Sequence, residues 1–230
     1  MSSSQIVAAQ DNLNRVVRFM DTTAGRDKIV RLLQYSSRFF GWWLVNNNRL
    51  DLAKKFSSIE AHASMARKVF RLFKSIAHLQ TAAKTWMQET DTVVSLTTVI
   101  QNLSLAIWLY YDHVIWAHKL GLIQRDLAPL SRKSNTFWLI AMLCGIAKAT
   151  YLIHITQQLA HTTTKADMVE SLRKRQSEFS LELVRNLLDL PIPVTSLSPR
   201  LAAVFPTGLV GLCGTLSSLI GIHQVWSKIK

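Results

Sequence analysis

Glycine, proline and cysteine are all scarce in this 230-residue chain, at 8, 5 and 2. With so few turn-formers, and no alternating β-branched run closed by a hairpin dipeptide, a sheet protein is excluded and an all-α chain is expected. Cys144 and Cys213 both lie inside apolar stretches with no partner at metal or redox spacing, so they read as small hydrophobes in a reducing setting. Met1-Ser2-Ser3-Ser4-Gln5 lacks a charged region followed by an apolar run, and the final Lys228-Ile229-Lys230 is not the Ser-Lys-Leu matrix address. Any organelle targeting is therefore expected to be internal.

The signatures of catalysis are missing as well. There is no phosphate-binding Gly loop, no nucleophile elbow and no His-Glu-x-x-His. His113 and His118 sit about 140° apart on a helix, and His154 and His161 lie two turns, or about 10 Å, apart, so neither pair grips one metal ion. Asp112 beside His113 reads as a polar pin at a helix contact rather than an acid/base pair. No enzyme, metal or cofactor is expected.

Acidic residues are missing where basic ones gather. No Asp or Glu occurs between Glu60 and Glu89, and residues 1–88 hold 14 Lys or Arg against 5 acids, a net +9 of the chain's +13. Such a region suits nucleic acid, membrane phosphates or an acidic protein. The chain has no zinc-ligand spacing, RNA-binding aromatic signature or basic zipper, and its cations are interleaved with large aliphatics at helical spacing, which argues against nucleic acid.

What the basic region does hold is an amphipathic stretch from Met65 to Leu79. At about 100° per residue, Arg67, Lys68, Arg71, Lys74, Ser75 and His78 share one wedge of roughly a third of the circumference. Met65, Val69, Phe70, Leu72, Phe73, Ile76 and Leu79 fill the opposite side. The polar side is purely cationic, whereas a helix of a soluble bundle normally mixes signs. Such a helix can sink its apolar face about 5 to 10 Å into an anionic membrane surface, with each cation adding on the order of 1 kcal/mol. Lipid-binding is therefore assigned to Met65, Arg67, Lys68, Val69, Phe70, Arg71, Leu72, Phe73, Lys74, Ile76 and His78, within a membrane-binding helix at about 63–80.

Helical periodicity organises the rest. A first helix, about Ile6 to Met20, carries Leu13, Val16, Val17 and Met20 on one side. A second, about Arg26 to Leu44, is expected to turn Ile29, Leu32, Leu33, Phe39, Phe40 and Trp43 inward and Lys28, Arg31 and Arg38 outward. A third runs unbroken from about Asp51 to Trp86. Thr92 to Tyr111 is free of formal charge and long enough to cross a roughly 30 Å hydrocarbon core, although its Ser, Thr, Asn and Gln content equally suits a buried or in-plane helix. Residues 135–160 are apolar but interrupted by Lys148 and His154, which suits a helix packed on neighbours or lying partly in the membrane. Met168 to Leu190 is amphipathic, and residues 191–206, with Pro191, Pro193 and Pro199, are expected to form a loop.

Thr207 to Trp226 lies in a charge-free interval and is the clearest spanning candidate. Its Gly211, Gly214, Ser218 and Gly221 recur at three- and four-residue spacing, which in lipid allows helices to associate closely. The expected organisation is a basic helical region at 1–90, a central membrane-associated region at 91–190, the Pro-rich loop, and a transmembrane helix at 207–230. Together these make an all-α, membrane-associated helical bundle.

Four blocks carry a resemblance to a known family: Gly25-Arg26-Asp27-Lys28 with Leu32-Leu33-Gln34-Tyr35, Ala66 to Leu72, Tyr111-Asp112-His113 through Trp116 to Gly121-Leu122, and Gly208 to Trp226. In this order the chain resembles the peroxin-eleven family of peroxisomal membrane-elongation proteins. The resemblance implies residence in the peroxisomal membrane, both termini towards the cytosol, self-association into homo-oligomers, and tubulation ahead of fission by a dynamin-like GTPase and its adaptors. Two other readings are a pore for small metabolites, lined by Lys148, Asp112 and the polar Thr92 to Ser104 face, and a soluble adaptor docking its basic helix in an acidic groove.

Overall fold

The computed structural model describes residues 3–229, and among the described residues there is no strand. Within the described residues ten helices follow one another: α1 (Ser3–Asp21), α2 (Thr23–Asn46), α3 (Leu50–Phe70), α4 (Lys74–Gln88), α5 (Thr92–Lys119), α6 (Leu127–Thr162), α7 (Ala166–Asp189), α8 (Pro191–Leu197), α9 (Pro199–Val204) and α10 (Thr207–Trp226). They form two units, one from residues up to 71 together with those from 207 onward, the other from residues 72–206. This division corrects the linear order expected from sequence. The C-terminal helix folds with the N-terminal region and is not an appendage.

In the first unit α2 packs against both α3 and α10. Thr22 caps α2 by accepting from the Gly25 amide at 2.9 Å, and the helix ends where Asn48 takes a left-handed φ of 56°, a conformation that Asn tolerates better than most residues. The chain then returns antiparallel as α3, tied by Arg38 to Glu60 at 2.6 Å and by Arg67 to Asp27 at 3.1 Å. The end of α10 meets α1, where the Trp226 ring lies 5.8 Å from Phe19 and under the Arg15 guanidinium.

The second unit is built on α5, α6 and α7, with α4 against α5 and α8 against α6. Asp91 caps α5 through the Val93 and Val94 amides, and its other oxygen accepts from the Tyr151 hydroxyl of α6 at 2.8 Å. Trp108 stacks on Trp138 at 5.4 Å and so joins α5 to α6. The Pro-rich segment is not the expected loop. Pro191 and Pro199 each occupy a first-turn position of α8 or α9, where the missing N–H has no helical partner to lose and the fixed φ already suits a helix.

Polarity is inverted relative to a water-soluble bundle. Asp27, Arg31, Gln34 and Ser37 of α2 are buried, while Ile29, Leu33, Phe40 and Trp43 are exposed. The expectation that these apolar residues face inward and Arg31 outward is thus reversed; Leu32 and Phe39 are half-buried. The apolar-inside rule presupposes water outside. Where hydrocarbon surrounds a helix, apolar groups lose nothing by facing out, and ionised groups gain by turning to one another. Gln101, Asn102, Ser104 and Asp112 of α5 are buried in the same manner. Among the described residues three helices, α5, α6 and α10, are long and apolar enough to cross a membrane.

Candidate membrane-binding site

The stretch from Met65 to Leu79 is not one helix. α3 ends at Phe70, Phe73 adopts a left-handed φ of 60°, and α4 begins at Lys74. This corrects the unbroken helix expected over 63–80. Arg71 closes the turn, its amide bonded to the Lys68 carbonyl at 3.2 Å and its Nε donating to the Arg67 carbonyl at 3.1 Å. A bulky residue in the left-handed region carries roughly 1–2 kcal/mol of strain. The 100° periodicity runs through the break, so sequence pattern alone gives no sign of it.

Large apolar side chains are exposed on both sides of the break. Phe73 is 75% exposed and Ile76 62%, with Val69 and Leu79 about half exposed. Met65, Phe70 and Leu72 are half-buried. Among the cations, Arg67, Lys68 and Arg71 are buried, which corrects the expectation that they share an outward cationic wedge. Lys74 alone of the four is exposed. His78 is half-buried, its Nδ1 2.8 Å from the Asn102 side-chain oxygen.

Arg67 explains the inward turn. Its Nε donates to Asp27 at 3.1 Å and its Nη1 to Gln34 at 2.8 Å. Burial pushes the Arg67 guanidinium down to about 10, the positive charge of Arg71 adds to this, and Asp27 opposes it. An isolated buried cation would cost several kcal/mol; a paired and hydrogen-bonded one is tolerated. Asp27, Gln34, Arg38 and Glu60 were not singled out as site residues from sequence. Their signal was present, since Asp27, Arg31, Gln34 and Arg38 recur at helical spacing along α2.

The small-residue stripe of α10 lies against α2 of the same chain. Gly208 meets Trp42, Gly211 meets Phe39, Gly214 meets Tyr35 and Gly221 meets Lys28, in antiparallel order. A methyl at Gly214 would overlap the Tyr35 ring, and one at Gly211 would come within 2.7 Å of the Phe39 backbone nitrogen. Ser218 is buried and donates to the Gly214 carbonyl at 2.6 Å. The stripe therefore joins two helices of one protomer, and a neighbouring copy could reach it only by displacing α2.

In the second unit Lys148 of α6 reaches Gln101 of α5 at 3.1 Å and Glu182 of α7 at 3.8 Å. These partners explain how a lysine sits just beyond the apolar run from Phe137 to Ala147 of α6. Asp112 is buried on α5.

The family model described as Peroxisomal biogenesis factor 11 matches residues 13–226. The chain is 36% identical to peroxisomal membrane protein PMP27 of Saccharomyces cerevisiae, with 94% of each chain covered. It is 29% identical to human peroxisomal membrane protein 11C, covering 93% of this chain and 94% of that one, and 25% identical to the peroxisomal membrane protein 11 homolog of Dictyostelium discoideum, covering 94% and 95%. No solved structure matches the chain. Nearly end-to-end agreement with one family model, together with a relative above 30% identity, means that the chain belongs to the peroxisomal biogenesis factor 11 family.

Proposed function

We propose that this protein resides in the peroxisomal membrane and drives peroxisome proliferation by wedging the apolar side of residues 65–79 into one leaflet, elongating the membrane ahead of fission. The carrying observation is the exposure of Phe73, Ile76 and Leu79 in the second unit and of Val69 at the end of α3 in the first. Inserting side chains into a single leaflet expands it relative to the other, and many copies side by side favour positive curvature. Burying each of these half-exposed or better side chains contributes on the order of 1 kcal/mol, whereas the one exposed cation of the stretch, Lys74, contributes about 1 kcal/mol in all. Apolar insertion therefore outweighs charge attraction. Full-length protein reconstituted into vesicles of phosphatidylcholine, phosphatidylethanolamine and an anionic lipid tests this by electron microscopy. The double change Phe73→Asp and Ile76→Asp abolishes tubules while Lys74→Gln spares them; undiminished tubulation by the double variant removes the mechanism.

Self-association supplies the crowding that curvature needs, and a dynamin-like GTPase with its adaptors acts on the narrowed tubule. The contact of Trp226 with Phe19 and Arg15 supports termini on one membrane face, which in this reading is the cytosolic one.

A second reading, a pore for small metabolites, is favoured by the inward Lys148 with Gln101 and Glu182. Single-channel recording separates the two readings. A conductance whose ion selectivity changes in Lys148→Met supports the pore, and silent bilayers at the same protein density count against it.

A further inference from the structure

α2 is too polar to be recognised as a membrane helix by composition, because Asp27, Lys28, Arg31 and Arg38 all lie within it. Their placement tells a different story. Between Asp27 and Val45 every exposed residue of α2 is apolar: Ile29, Leu33, Phe40, Trp43 and Val45. α10 has the same pattern, since between Gly208 and Ile222 its exposed residues are Leu209, Leu212, Leu216 and Leu219. The two helices are in register from Gly208 against Trp42 to Gly221 against Lys28. At 1.5 Å per residue that contact runs for about 20 Å, or two-thirds of a hydrocarbon core of roughly 30 Å. A helix held this closely to a spanning partner, and exposing only apolar side chains along the shared length, sits at its depth; α3, which exposes Asp51, Lys54 and Lys55, does not meet that condition.

We infer that α2 lies within the bilayer beside α10, presenting Ile29, Leu33, Phe40 and Trp43 to lipid acyl chains and turning Asp27, Lys28 and Arg38 to α3 and α10, while Arg26 of the first turn pairs back with Asp21 at the membrane surface. The ionised groups meet the condition that such a position imposes. Asp27 pairs with Arg67, Arg38 pairs with Glu60, and the Arg31 and Arg38 guanidinium groups lie 5.3 and 5.1 Å from the Tyr35 ring centre. The lipid surface of α2 continues that of α10, so one occupant, the acyl chains, covers both. The inference rests on α10 crossing the membrane and is independent of the remodelling step.

Cysteine reactivity in the full chain, reconstituted in vesicles, tests it. Leu33→Cys and Phe40→Cys on α2 are compared with Leu212→Cys on α10 and with Lys54→Cys, a position on α3 whose side chain is 81% exposed. Thiols are blocked with permeant N-ethylmaleimide, which reaches both aqueous faces, and the remainder is counted in SDS with a polyethylene-glycol maleimide against the parent's Cys144 and Cys213. A thiol in hydrocarbon forms little thiolate, so the two α2 sites and Leu212→Cys react about tenfold slower than Lys54→Cys or less. Fast reaction at the α2 sites with slow reaction at Leu212→Cys overturns the placement of α2 and leaves α10 spanning. Fast reaction at all sites removes both. Disulfide-linked dimers of Leu33→Cys under mild oxidation would identify a second copy on this face and overturn the assignment to lipid.

Discussion

Arg67 and Asp27 form the most consequential pair of side chains, since both are more than nine-tenths buried and they lie 40 residues apart in sequence. Arg67→Met strips a buried carboxylate of this partner and costs about 3–5 kcal/mol, whereas the double change Arg67→Met and Asp27→Leu recovers most of the loss. Thermal unfolding in detergent of the parent, Arg67→Met, Asp27→Leu and the double variant reads the coupling directly. Asp91 gives a pH signature. Its carboxyl is held below the ordinary 3.8, first by the Val94 amide and then by the Tyr151 hydroxyl. A depressed carboxylate contributes stability that is complete above its unfolded value and is lost as pH falls through the lower folded one. Melting temperature therefore drops below about pH 4 in the parent, and the drop is smaller in Asp91→Asn, which has no charge to lose. At this scale the sequence was half legible. The wheel grouped Arg67, Lys68 and Arg71, and the structure buries all three, but which group looks outward depends on the solvent, and the partner of Arg67 lies on another helix.

Among the elements, α10 was the most readable and the 65–79 stretch the least. Charge-free length and small-residue spacing mark α10 whatever it packs against. The break at Arg71–Phe73 carries no glycine or proline, so nothing local announces it. The prolines of α8 and α9 misled in the opposite sense, because position within the first turn decides whether proline stops a helix or starts one. The stripe of α10 yields a graded prediction. Gly211→Ala drives a methyl towards the Phe39 backbone, which cannot swing aside, and costs about 1–3 kcal/mol. Gly221→Ala meets only the flexible Lys28 arm at 3.0 to 3.3 Å and is near neutral. Melting temperatures in detergent that rank the two alike would refute the packing described for α2 and α10.

Taken whole, the chain is an all-α protein whose outer surface is rich in exposed leucine, isoleucine, phenylalanine and tryptophan. Fold class was legible from composition and periodicity, and membrane residence from the family resemblance that the four sequence blocks carry. The two-unit division was not, since it depends on a contact between the chain's ends. That contact predicts topology: tags placed before α1 and after α10 show the same protease sensitivity in intact organelles, because Trp226 meets Phe19 and Arg15. Opposite sensitivity of the tags would mean that this end of the unit does not lie on one side of the membrane.

The pairing of Trp42 with Gly208 also sets a timetable for biosynthesis. At 5–20 residues per second a ribosome needs on the order of ten seconds or more to travel from one to the other. Throughout that interval the nascent α2 has its glycine-lined partner still untranslated, with Tyr35 and Phe39 uncovered. Completion of the first unit is thus necessarily a late event, coming after the whole of the second has been translated.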